Sequence, residues 1–312
     1  MYPIKTERNI RVRMRDGVEL STDVVRPDAD GQFPVLIMRT PYGKDWSTGI
    51  SGGPYEHEYY ASRGYVVVQQ DSRGRFDSAG VFEPFVDEAP DGWDTDEWAV
   101  LQPWSNGKLA GLGQSYYGFT QLAQALQRHP ALATIAPIMT TSDTYNNWIF
   151  SDGAFHLGFA MAWGTGLLGA GTARPNPRIA SPPVAGTSAP DVFAHLPVET
   201  MDAQQGQKQP VPFYREWLKH PVRDEHWLGR SLDAQVAAIT AYIDHVVDAV
   251  GARLLGSASP IAEAVRRRRL DGRVEADLAE RLLGVSLSRQ LQKRGQRISH
   301  QRHNDKLRRH AG

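Results

Sequence analysis

Cysteine is absent from the 312 residues. Its absence removes disulfides, thiolate metal sites and a cysteine nucleophile together, leaving serine, threonine or carboxylate chemistry. No apolar run approaches the ~18 residues needed to cross a bilayer, so a globular chain with no membrane partner is expected. Met1 to Arg15 is charged and lacks the apolar stretch of a secretory signal, and a cytoplasmic location follows as the expectation. Aromatic residues and proline run out late in the chain. All eight Trp and all ten Phe lie at or before Trp227, whereas residues 229–312 hold one aromatic, Tyr242, and one proline, Pro260. The net charge of zero conceals a second asymmetry: residues 1–228 carry 19 Lys and Arg against 26 Asp and Glu, and residues 229–312 carry 16 against 9. Two differently built segments therefore meet near residue 229.

The first segment reads as an α/β protein. Asn9 to Met14 alternates polar with apolar, Asp16-Gly17 offers a turn, and Val18 to Thr22 follows, which predicts an antiparallel hairpin. Pro34 to Met38 and Tyr65 to Gln69 are short continuous apolar runs, suited to strands covered on both faces. A helix over Tyr55 to Arg63, stopped by Gly64, connects them. Asp94 to Leu101 is expected as a helix, Lys108 to Leu112 as a buried strand, Tyr117 to Arg128 as the next helix and Ala133 to Ile138 as a further strand. Strand, helix and buried strand in alternation imply a parallel sheet with right-handed crossovers. From Ser142 to Trp227 the pattern suits an irregular, mostly helical insertion. Helical periodicity returns over Ser231 to Leu255, Ile261 to Arg269 and Glu275 to Leu283.

The stretch Leu112-Gly113-Gln114-Ser115-Tyr116-Tyr117-Gly118 lies between a buried strand and a helix. A nucleophile elbow needs that context: glycine permits the sharp turn, and the serine hydroxyl is presented at the helix N-terminus. The helix dipole and the Tyr116 amide would then stabilise an oxyanion. Tyr117 stands where the general pattern has its second glycine, and Gly118 comes one residue later. Taken locally, a plain Gly-Ser turn between strand and helix remains an equal reading.

Several further blocks decide between them. Thr40-Pro41-Tyr42, Asp71 to Gly80, Phe82-Glu83-Pro84-Phe85 with Asp91 to Thr95, Trp104 to Lys108, Ala136 to Asp143, and Phe213 to Leu218 with His220-Pro221 occur in order around the elbow. Together they resemble the cocaine esterase and X-Pro dipeptidyl peptidase family of serine hydrolases, over about residues 4–228. In that family the elbow reads Gly-x-Ser-Tyr-x-Gly, so the displaced glycine fits. The resemblance implies an α/β-hydrolase fold, Ser115 as nucleophile, and the Tyr42 hydroxyl and Tyr116 backbone amide as oxyanion donors. It implies a small ester, amide or X-Pro peptide as substrate and no cofactor. Trp148, Phe150 and Trp163 are weaker candidates for the acyl pocket. The two arginines and two acids of Asp71 to Gly80 are expected to form a structural ion-pair loop, and Trp93, Trp98 and Trp104 to pack.

A serine nucleophile needs a general base, and this fold supplies acid and histidine after the serine. The family's Gly-Trp-Tyr-Asp and Gly-Pro-Trp-x-His blocks do not occur in the chain, so no triad Asp or His is identifiable. His129, 14 residues along the helix from Ser115, would stand about 21 Å away at ~1.5 Å per residue. His156, His195, His220 and His226 lie in cap-like sequence. Residues of about 232–300 resemble instead part of the zinc-dependent metallopeptidase-like family. That chemistry rests on a His-Glu-x-x-His helix, which is missing, and no zinc site is carried over. The expected organisation is an incomplete hydrolase core over 1–141, a helical cap over 142–228 and a basic helical tail of different origin over 229–312. An inactive, truncated or fused family member is the alternative reading. Binding of an anionic surface or nucleic acid by Arg266 to Arg269 and the basic end is a third, weakened by the tail's want of aromatics.

Overall fold

The computed structural model describes residues 1–45, 56–168, 193–205 and 210–235. All of them belong to the first of the two compact units into which the chain divides, Met1–Ile243. Strands β1 (Ile4–Arg13) and β2 (Glu19–Pro27) form the expected hairpin, with Gly17 at φ +90° in the turn. Four more strands complete the sheet: β3 (Phe33–Thr40), β4 (Val66–Asp71), β5 (Ser105–Gln114) and β6 (Leu132–Ile138). Their spatial order is β1-β2-β4-β3-β5-β6. β2 pairs antiparallel with β4, while β4, β3, β5 and β6 run parallel. The continuous apolar runs occupy the middle of the sheet, and every residue of β4 is buried, as two-sided coverage requires.

Helices α1 (Glu56–Ala61), α2 (Glu88–Val100) and α3 (Tyr116–Leu126) are the crossovers. The chain leaves β3 for β4 on one side and returns through α2 to β5 on the other. The order thus reverses between β3 and β5, and in open α/β sheets ligand sites form beyond the carboxyl ends of the strands at such a switch point. Tyr42 follows β3 and Ser115 follows β5, so topology alone brings two distant sequence blocks to one place.

Helix α2 begins six residues earlier than the sequence pattern suggests. Pro90 and Gly92 argue against a helix there, but Pro90 falls in the first turn, where a missing N–H costs nothing. Gly92 is fitted to its neighbours, since a Cβ would stand 3.1 Å from Gln124 Cβ. Arg39, buried in β3, anchors α2 to the sheet by donating Nη1 to the Glu88 carbonyl at 2.7 Å and Nε to Gln70 Oε1 at 3.0 Å. Its Nη2 lies 3.1 Å from the Glu88 carboxylate, a buried ion pair.

Beyond β6 come short pieces: β7 (Phe150–Ser151), β8 (Ala154–Phe155), α4 (Leu157–Phe159) continuing as a wide π-helical stretch over Ala160–Leu168, a 3-10 stretch over Val198–Gln205, α5 (Pro212–Lys219) and α6 (Glu225–Leu228). Pro212 opens α5 at a position where its fixed φ suits a helix start. Buried aromatic rings hold these pieces together, with Tyr145 and Phe150 stacked 4.8 Å apart and Trp227 against both. Of the helix expected over Ser231 to Leu255, only the start is described, and there Asp233–Gln235 is a 3-10 turn. Thr172 to Pro190 and the later tail helices lie outside the described residues.

Candidate active site

Ser115 sits between the last residue of β5 and the first of α3 with φ 60° and ψ −126°. A side chain at that φ is strained, and the surroundings over-determine it. The Ser115 N–H donates to the Ile138 carbonyl at 2.8 Å, extending the β5–β6 pairing by one residue. Its carbonyl accepts from Gly118 and Phe119 at 2.9 and 3.1 Å, closing the first turn of α3. Small residues let the helix lie against the sheet. Gly113 has φ +135°, and a Cβ there would stand 2.7 Å from Tyr117 Cβ; a Cβ on Gly118 would stand 2.7 Å from Thr140 Cβ. Gly118 is therefore required by the approach of Thr140 to the helix, which explains a glycine one place later than in the general elbow.

The Tyr42 hydroxyl lies 3.4 Å from Ser115 Oγ. Trp163 Nε1 donates to that hydroxyl at 3.0 Å, so an oxygen lone pair is occupied and the O–H proton is left to point towards the serine side. Burial pushes the Tyr42 pKa up, and hydrogen bonds from Ser115, Trp163 and the Tyr116 backbone offset it only in part. The phenol therefore stays protonated at neutral pH and remains a donor. The Tyr116 backbone is among the groups that act on the Tyr42 phenol. The Tyr116 side chain is otherwise engaged: it is fully buried, accepts the Phe85 N–H at 2.8 Å and stacks on Phe85.

Arg75, which the sequence pattern assigns to an ion-pair loop, contributes differently. Its neighbour Arg73 does pair with carboxylates, Asp91 at 2.6 Å and Asp16 at 2.5 Å. Arg75 instead donates Nε to the Pro41 carbonyl and Nη1 to the Leu168 carbonyl, both at 2.7 Å. Burial lowers its pKa to about 10, with Asp71, Tyr116 and Tyr42 acting against that fall. A buried cation thus holds the turn that carries Tyr42 and ties it to the π-helical stretch that carries Trp163. Nothing in the sequence spacing signals that two carbonyls, rather than two acids, receive it.

Trp148 and Trp163 lie over the elbow, each in ring contact with Tyr116 and Phe85, and Trp163 stacks on Trp217 at 6.2 Å. Phe150 is placed apart from them, because its ring contacts are Tyr145, Phe155 and Trp227 in the core of the helical segment. Among the described residues no histidine is hydrogen-bonded to Ser115. His129 Nε2 pairs with Glu97 at 2.8 Å and its Nδ1 accepts the Ala131 N–H. His156 meets the Trp148 carbonyl, His195 meets Thr200, and His220 meets Asp224 and Glu216.

Residues 16–248 match the X-Pro dipeptidyl-peptidase (S15) family, and residues 215–305 match a zincin-like metallopeptidase family. The chain is 36% identical over 235 residues to cocaine esterase of Rhodococcus sp. (strain MB1 Bresler), covering 72% of this chain and 40% of that protein. Among solved structures it is similar to an α-amino acid ester hydrolase, with TM-score 0.58 and 27% identity over 77% of this chain and 41% of that one. A CocE/NonD family hydrolase of Staphylococcus aureus gives TM-score 0.55 and 28% identity over 73% and 38%. These relatives define an α/β-hydrolase fold for the site-bearing unit. The chain belongs to the X-Pro dipeptidyl-peptidase (S15) family of hydrolases. It spans about 40% of the length of its cocaine esterase relative.

Proposed function

We propose that this chain carries the nucleophile and oxyanion hole of a serine hydrolase that cleaves small acyl compounds, with an ester as the first expected substrate and an amide or X-Pro peptide as the others. The observation that carries the reading is the strained Ser115 at the start of α3 with the Tyr42 hydroxyl 3.4 Å away and fixed by Trp163. Ser115 Oγ attacks the acyl carbon and its proton passes to a base. The carbonyl oxygen becomes an oxyanion that receives the Tyr42 O–H and the Tyr116 N–H, and collapse expels the alcohol or amine to leave an acyl-Ser115 ester. Water then releases the acid. Trp148 and Trp163 would line the acyl side, whereas Phe150 serves packing. The names of the relatives, cocaine esterase and α-amino acid ester hydrolase, favour esters. For the chain as a whole, the reading is a core over 1–141, a cap over 142–228 and a tail of separate origin from 229.

The alternative of a catalytically inactive family member is the reading against which the proposal is tested. Incubation with a fluorophosphonate probe separates the two. Stoichiometric labelling that disappears in Ser115→Ala, with turnover of 4-nitrophenyl acetate lost in parallel, is expected. Labelling that survives in Ser115→Ala overturns the assignment of the nucleophile, and folded protein that never labels supports the inactive reading.

A further inference from the structure

The turn between α5 and α6 gathers three side chains that the hydrolase chemistry does not use. Glu216 and His220 are four residues apart at the end of α5, and His226 lies in the first turn of α6. One ligand atom from each, a Glu216 oxygen and a ring nitrogen of each histidine, falls within 4.8 Å of the others. The two imidazole rings stack with centroids 4.2 Å apart and planes 10° from parallel.

Hydrogen bonding fixes what these atoms can do. His220 Nδ1 is 2.6 Å from Asp224 Oδ2, so that nitrogen carries the proton and donates it to the carboxylate. A neutral ring then presents a lone pair at Nε2, which faces Glu216 Oε1 at 3.3 Å. Two electron pairs held that close need a proton or a cation between them. A ring nitrogen of His226 lies within 4.8 Å of both, and His226 Nε2 is buried without a hydrogen-bond partner. The backbone on both sides is pinned, with Trp227 Nε1 donating to the His220 carbonyl and the His226 N–H to Asp224 Oδ1. Lys219 takes the other Glu216 oxygen at 2.8 Å, leaving Oε1 for the cluster.

We propose that Glu216, His220 and His226 form a binding site for a borderline divalent transition metal such as zinc, with Asp224 orienting His220 from behind. Two imidazoles and one carboxylate are an ordinary zinc ligand set, with metal–ligand distances of about 2.0–2.2 Å. Because a metal lies in the plane of each imidazole it binds, one of the two stacked rings must turn out of the stack to bind beside the other. A carboxylate behind a ligating histidine is the usual second partner. The arrangement is unlike the His-Glu-x-x-His helix of zincins, because its histidines are contributed by two helices around a turn.

The test uses the full-length protein stripped of metal, titrated with Co2+ and followed by its visible d–d absorption, with Zn2+ competing. One equivalent is expected, with His226→Ala and Glu216→Gln each abolishing the bands and Asp224→Asn weakening binding about 10–100-fold. A variant with His245, His300, His303 and His310 all changed to Ala must keep the bands. Circular dichroism confirms that each variant is folded, and Glu216→Gln guards against a histidine change that merely unfolds the turn. Bands unchanged in folded His226→Ala and Glu216→Gln, or lost in the tail variant, overturn the site. So does protein that takes up neither ion, a doubly protonated His220 then accounting for the close carboxylate.

Discussion

The β5–α3 unit and the helical segment from Tyr145 to Leu228 both carry polar groups of chemical interest, but they hold them by opposite means. In β5–α3, a buried strand and helix meet with no room to spare, and Ser115 is forced into a rare conformation by bonds on both sides of it. In the helical segment, Glu216, His220 and His226 stand at the ends of short helices with half-buried side chains, and their approach is set by ring stacking and by the turn between α5 and α6. A reacting serine must be preorganised before substrate arrives, whereas a metal site can draw its ligands together on binding. Trp163 joins the two regions, since it comes from the helical segment and donates to Tyr42.

The comparison breaks first at Tyr42. Tyr42→Phe removes the hydroxyl but keeps the ring, and a fall of about 10²–10³-fold in acylation is expected if the β5–α3 side is preorganised for the oxyanion. Equal rates for 4-nitrophenyl acetate in Tyr42→Phe and the parent would show that the hydroxyl is structural. A smaller effect compares two helical glycines. Gly118→Ala forces a methyl against Thr140 at 2.7 Å and is expected to cost about 1–3 kcal/mol by overpacking. Gly158→Ala meets nothing within 4 Å and is expected to gain up to about 1 kcal/mol from lost unfolded-state freedom. Urea denaturation of both reads the difference, and equal midpoints would remove the claim that one region is tight and the other open.

A third contrast concerns pH, where Asp96 and Asp202 act with opposite sign. Burial raises Asp96, on α2 and hydrogen-bonded to Gln124 of α3, to about 8, against the pull of that hydrogen bond and of Arg39. Between an unfolded pKa near 3.9 and about 8, the folded state keeps a proton that the unfolded state gives up, so stability falls as pH rises through that window. Asp202, in the helical segment, is pushed up by burial but held below its usual range by Arg215 and the Val211 N–H. Its contribution is present above its unfolded pKa and lost as pH falls towards the lower folded one. Asp96→Asn should flatten the fall in stability between about pH 4 and about pH 8, and Asp202→Asn the loss at acid pH. Slopes that do not change on the named side would sink each assignment.

Much of the hydrolase half was legible because its signals are local. Period-two alternation with Asp16-Gly17 gave the hairpin, continuous apolar runs gave β3 and β4, and the glycines around Ser115 marked the elbow. The start of α2 was missed because Pro90 looks like a breaker unless the first turn is known to begin there. The family resemblance groups Phe150 with Trp148 and Trp163, yet its ring meets Tyr145, Phe155 and Trp227 instead. Arg75 read as an ion-pairing residue because carboxylates surround it in sequence, and only the packing shows carbonyls from Pro41 and Leu168 in their place.

By itself, then, the sequence determined the serine, its strand-to-helix setting, the family to which residues 16–248 belong and the change of composition near residue 229. Those properties depend on residue type and spacing along a few turns of chain, where sterics and periodicity act directly. Tertiary structure alone decided that β3 and β5 lie side by side, that Tyr42 and Trp163 converge on Ser115 from 73 positions upstream and 48 downstream, and that His220 and His226 stack around Glu216. Such meetings are set by sheet order and by the packing of aromatic rings, which couple residues distant in the chain and leave no mark on local spacing.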